Sequence, residues 1–288
     1  CIRDRFLFIA GVSFPYSVAK QRAGGMSEGR IYAKIVRRGL TLVVLGMVYN
    51  GLFKLDFENL RIASVLGRIG LAWSIAAVLY LNFGVKTRAA IAVAVLAGYG
   101  ALSALVAAPD AAGAGPLTFE GNLAGYIDRQ FLPGKLIYGS FDPEGLLSTV
   151  PAVVTAMLGM FTGEFVRRGD IRGGRKTLWM AAAAAALLAA GLAFSGVLPV
   201  NKKLWSSTFV CVVGAYSLGM FALFYYLIDV RGWRRWTLFF RVVGLNSITI
   251  YLAQRIVGFG RISDFFLGGI ASKCPEAVAA VISLSLIH

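Results

Sequence analysis

Arg68, Asp142, Glu144 and Asn246 are the residues here whose types and settings could do chemistry. Each places a charge or an amide within or beside an apolar run. Such groups are costly at bilayer depth and usually face a cavity or a partner. Arg68 lies about two turns into the apolar stretch around VLGRIGLAW. It reads with equal weight as a snorkelling side chain bonded to loop carbonyls and as a functional cation. Glu144 or Asp142 is its natural partner. These two carboxylates stand two positions apart in FDPEGLL, where an Asp ahead of Pro and Glu is an ordinary helix cap. Capping accounts for Asp142 and leaves Glu144 as a general base or as the carboxylate that orients an amine.

Asn246 sits near the middle of VVGLNSITIYLAQ, sharing a helical stripe with Thr249, Ile250 and Ala253. Interhelical hydrogen bonding explains Ser247 and Thr249 well and Asn246 less well. Asn201-Lys202-Lys203 reads first as solvated charge. The lesser reading is a contact for an anion or a substrate. No metal-ligand cluster, nucleophile elbow or phosphate-binding glycine motif is found, and His288 is the only histidine.

The elements that position these residues follow from composition. Of 288 residues, 58% are hydrophobic and 15% charged, and the mean hydropathy is +0.72. A soluble domain would have to expose much of that surface. The fold expected is all-α, a polytopic transmembrane bundle embedded in a lipid bilayer and forming one domain over 1–288. Spans are read at 6–19, 39–53, 62–84, 89–108, 145–166, 178–197, 205–228 and 237–259, with a ninth begun at 277. That makes eight to nine in all.

The net charge of +15 is distributed by side rather than gathered for nucleic acid. Residues 20–38 hold six basic groups against one acidic, and 167–176 hold five against one, which marks both as cytoplasmic. Residues 109–144 hold five acids against two basic groups and read as an extracytoplasmic loop. The stretch 141–168 begins acidic and ends with Arg167-Arg168, which suits the helix dipole and fixes its direction across the membrane. Trp205 reads as an interfacial anchor. Three cysteines make no framework, although Cys1 and Cys274 share the outer side and could pair.

Several blocks resemble the transmembrane heparan-α-glucosaminide N-acetyltransferases and their bacterial homologues. They are FLFIAGVSFPYS (6–17), VLGRIGLAW (65–73), FDPEGLLSTVPAVVTAMLGMFTGE (141–164), LPVNKKLWSSTFV (198–210), and IDVRGWRRW with VVGLNSITIY (228–251). The resemblance implies an enzyme of the inner membrane using acetyl-CoA as acyl donor, without a metal. An amino sugar or other glycan would accept the acetyl group on the extracytoplasmic side, and a homodimer is left open. On this reading Glu144, Asp142 and Asn246 are catalytic, Arg68, Asn246 and Tyr251 line the donor path, and Asn201 and Lys202 bind the acceptor. The family's essential histidine precedes the first of these blocks. The sequence is therefore expected to be part of a longer protein, cut at both ends and inactive by itself. The competing readings are an acyltransferase of another envelope glycan or lipid, and a solute transporter.

Overall fold

A computed structural model describes residues 2–56, 59–111 and 113–234, together with 236–238, 240 and 244. The chain forms two compact units, Cys1–Gly232 and Trp233–His288. In the second, the described rings of Trp236 and Phe240 meet edge to face at 5.5 Å.

Among the described residues of the first unit, the regular elements are helices. Its helices are α1 (Ile2–Ala23), α2 (Glu28–Tyr49), α3 (Val65–Asn82), α4 (Val85–Leu105), the short α5 (Leu123–Phe131), α6 (Leu146–Arg167), α7 (Gly173–Ala193) and α8 (Ser207–Tyr225). Among the described residues β pairing is limited to single antiparallel bridges, Arg61 with Gly134 and Ala107 with Asn122.

Among the described residues, five helical stretches are long and apolar enough to cross a membrane, namely Val65–Asn82, Val85–Leu105, Leu146–Arg167, Gly173–Gly196 and Ser207–Val230. The all-α membrane class is thus found, with five such stretches where eight to nine spans were expected. The expected span from 277 lies outside the described residues, and so does the one at 237–259 apart from 237, 238, 240 and 244. Helices α1 and α2 coincide with the first two expected spans, but their basic ends keep them short of the apolar measure.

Residues 20–38 differ from expectation in a second way. Read as the basic connection between two spans, they are helical except for a short turn at 24–27, because α1 runs to Ala23 and α2 begins at Glu28. Arg, Lys, Glu and Ala are good helix formers, so charge alone does not interrupt a helix. In α2 the inward positions Ile31, Ile35, Gly39, Leu42 and Gly46 recur at helical spacing and leave the basic residues facing out.

The centre of the bundle is α6. It packs against α1, α3, α4, α5 and α8, and residues such as Val154, Thr155, Met157 and Met160 are fully enclosed. Its seam with α1 is built on glycine. A Cβ at Gly159 would strike the Phe8 carbonyl oxygen, one at Gly11 the Ala156 carbonyl, and one at Gly163 the Val12 carbonyl. Close backbone approach of this kind is the usual adhesive between membrane helices, where apolar burial gives no advantage over lipid. Gly159→Val should therefore destabilise the detergent-solubilised protein by about 1–3 kcal/mol or more, read as a lower melting temperature. Gly98→Val, at a position with open space around it, is the matched control and should melt as wild type.

Candidate functional site

The polar residues gather where α3, α6 and α8 begin and where the 106–145 loop closes over them. Ser64 caps α3, its hydroxyl accepting from the Gly67 N–H at 2.9 Å. This cap sets the start of the helix, so Arg68 lies one turn inside it rather than two. Arg68 is 4% exposed. It donates to Ser148 Oγ on α6, and its guanidinium lies 4.6 Å from the centre of the Trp205 ring. Ser148 in turn donates toward the carbonyl oxygens of Pro143 and Gly145. The segment entering α3 is tethered by Asn50, whose amide donates to the carbonyls of Arg61 and Ala63 at 2.7 and 2.9 Å.

Both expected carboxylates are buried, and Arg61 is the residue that joins them. Its Nε and Nη2 donate to Asp142 at 2.7 and 2.6 Å, and Nη2 also donates to Glu144. A guanidinium fork matched to a carboxylate is among the stronger charged pairs. Burial works against the Arg61 cation, but Asp142 and Glu144 outweigh it and hold its pKa above the usual arginine range. Asp142 is further occupied by the Glu144 N–H, which it accepts at 2.9 Å. It is thus bound into the turn ahead of α6, but it is not the helix cap that was expected, because the N-cap position falls on Gly145. Glu144 shares a small cavity with Leu7, Val65, Arg68, Ile69 and Trp205. The space open to a water-sized sphere is about 10 Å³, room for one water molecule or one oxygen atom.

A third carboxylate, Asp128 on α5, completes the frame. It is fully buried and accepts the N–H of Leu146 at 2.9 Å and of Asp142 at 3.2 Å. The start of α6 is thereby capped from another helix. Gly145 has no side chain to do so, and a Cβ there would overlie the Asp128 carboxylate. Burial lifts the Asp128 carboxyl to about 6; the two N–H donors oppose the rise and the Asp142 charge adds to it. An unfolded Asp titrates near 3.9. Between those values the folded state holds the extra proton, so stability falls as pH rises from about 4 to about 6 and then levels. Protease resistance of the 109–144 loop should follow that slope, and Asp128→Asn should flatten it.

The α8 side is built by Asn201. Its side-chain oxygen accepts from the N–H groups of Lys203 and Leu204 at 2.9 and 3.3 Å, and its own N–H donates to Ser206 Oγ at 2.9 Å. Ser206 Oγ also accepts from the Phe209 N–H, capping α8. This turn carries Trp205 into the left-handed region at φ 52°, which is rare for a bulky residue. Trp205 is 3% exposed, so it is an inner wall of the site rather than an interfacial anchor. Lys202 stays exposed beside it, while the Lys203 ammonium lies 4.4 Å from the ring centre of Tyr138 and 4.9 Å from that of Phe119. Both rings stack on buried Phe141, immediately ahead of the carboxylates.

Of the expected site residues, Arg68, Asp142 and Glu144 are brought together, and Asn201 with Lys202 forms an adjoining turn. Asn246 and Tyr251 lie outside the described residues, as do Cys1 and Cys274. Arg61, Asp128, Ser148 and the inward role of Trp205 were not found by sequence reasoning. From sequence, Arg61 is one member of a short loop, 54–61, of mixed charge. A hint lay in Arg61 being a cation ahead of a span and close to Arg68 in sequence, with acids in the only long loop.

No family model matches the chain. Two curated relatives do. The chain is 28% identical over 308 residues to the human heparan-alpha-glucosaminide N-acetyltransferase, with 87% of this chain covered. It is 26% identical over 306 residues to the mouse protein of the same name, with 88% covered. Both matches support membership of that family. The chain spans about half the length of these relatives, 46% of each.

Proposed function

We propose that this chain, similar over most of its length to heparan-alpha-glucosaminide N-acetyltransferases, forms the membrane core of an enzyme that moves an acetyl group from acetyl-CoA to the amine of a glucosamine-type sugar. The observation that carries this reading is the cavity shared by Arg68, Glu144 and Trp205, lined by α1, by α3 and by the turns that precede α6 and α8. Acyl transfer to an amine needs a neutral nitrogen, a donor group for the carbonyl oxygen and a fixed mutual orientation. Arg68 supplies the donor and the positive charge. Glu144 receives the amine, orienting it and easing loss of its proton. Arg61 and Asp142 hold Glu144 in place, and Asp128 holds the turn that carries both acids.

The acceptor approaches from the 109–144 loop, which stands outside the cytoplasm. There the half-exposed Phe119 and Tyr138 rings offer an aromatic surface for a sugar, with the Lys203 ammonium over them and Lys202 exposed on the neighbouring turn. Asn246 and Tyr251 are assigned to the donor path. The setting is the inner membrane of a bacterium, as a multi-pass protein whose acceptor is an envelope glycan. The test is to incubate membranes carrying the full-length protein with labelled acetyl-CoA and a panel of glucosamine-ended glycans. Label should appear on the sugar nitrogen. Label found only on hydroxyl groups or lipid would replace this reading with another acyltransferase, and no transfer at all would remove it.

A further inference from the structure

Trp205 is over-determined for a residue that only fills space. Its ring is almost wholly buried, yet among the described residues its indole Nε1–H has no hydrogen-bond partner. Buried indole N–H groups usually find an acceptor, and one left over invites an explanation. Its backbone is held in the left-handed region, a conformation that persists only where the surroundings impose it. Those surroundings are specific. The Asn201 turn fixes one side, the Tyr99 hydroxyl donates to the Leu204 carbonyl just ahead, and the Ser206 cap fixes the other. The ring so placed covers the Arg68 guanidinium and lines the same one-atom cavity as Arg68 and Glu144.

We infer that Trp205 is a catalytic residue whose indole N–H, together with the Arg68 guanidinium, receives the acyl oxygen of the thioester. The inference rests on the acetyl-transfer reading above. The acceptor nitrogen attacks the carbonyl carbon and forms the C–N bond, while the C=O π pair moves onto oxygen. Return of that pair breaks the C–S bond, and the thiolate released takes up the proton lost by nitrogen. Negative charge on the oxygen is largest between these two events. Donors already fixed around that position stabilise it without reorganising, and each is worth roughly 10²–10³ in rate. A cavity large enough for one oxygen atom, lined by Trp205 and Arg68, with the indole N–H buried and without a partner among the described residues, fits that demand.

The test replaces Trp205 in the full-length protein by β-(3-benzothienyl)alanine, which keeps the ring and its position over Arg68 but exchanges N–H for sulfur. Trp205→Phe is the genetic counterpart. With acetyl-CoA as donor and glucosamine as acceptor, kcat should fall roughly 10²-fold. KM for acetyl-CoA should stay within about threefold, since an interaction made only as charge develops does not alter ground-state binding. A kcat within twofold of wild type, or a rise in KM alone, would overturn the assignment and leave Trp205 as packing. If Phe disturbs the fold, the sulfur isostere still decides the matter. Absence of transfer by the wild-type protein would instead count against the acetyl-transfer reading itself.

Discussion

Replacing Arg68 by alanine in the full-length protein should lower acetyl transfer about 10²–10³-fold while leaving membrane insertion intact. Arg68 supplies at once a charge, a fork of donors and a stack beneath the Trp205 ring. Removing it leaves the cavity larger and bordered by Glu144 without the neighbouring cation. Arg68→Lys keeps the charge but not the planar fork, so it should recover only part of the loss. Glu144→Gln should also depress turnover, because its carboxylate becomes a neutral amide of the same shape. Initial rates in membranes, normalised to the amount of protein, read both effects. Near-normal rates in both variants would remove these residues from the reaction.

The second large effect is expected on folding. Arg61→Met takes the counter-charge from two buried carboxylates, whose side chains are 0% and 4% exposed. Removing one partner of a buried pair typically costs about 3–5 kcal/mol, since the remaining charge is left without compensation. Two carboxylates share this cation, so the loss should fall at the upper end of that range. The expected result is poor yield of solubilised protein and a markedly lower melting temperature. Adding Asp142→Asn and Glu144→Gln to Arg61→Met should restore part of the stability, because neutral partners remove the unpaired charge. Arg61→Met melting as wild type would show that the ion triad is incidental.

These two arginines also show what the sequence disclosed and what it withheld. Arg68 stood out because a charge inside VLGRIGLAW is expensive unless it faces something polar. Asp142 and Glu144 stood out because they open a long apolar run. Hydropathy and charge asymmetry likewise gave the helices α3, α4, α6, α7 and α8 within a few residues. Arg61 could not be found the same way. Its partners lie 81 and 83 positions away, and nothing local distinguishes it from a solvated loop residue. Asp128 was hidden for the same reason, since it caps α6 from α5 across 18 positions. The role of Trp205 depends on a left-handed backbone, which no residue type signals when the residue is not glycine. The helical course of residues 20–23 and 28–38 was concealed by their charge, which announces solvent contact and not chain conformation.

Arg61 and Arg68 carry two positive charges, and Asp142 and Glu144 carry two negative ones. These four groups balance one another within a space of a few side chains. The Asp128 carboxyl beside them adds a negative charge only above about pH 6, so below that pH the cluster needs no counter-ions from the medium. Mobile ions scarcely reach such enclosed charges, so the quartet should keep its arrangement from dilute buffer to molar salt. Any ionic-strength dependence of turnover would then originate at the exposed Lys202 and not in the interior.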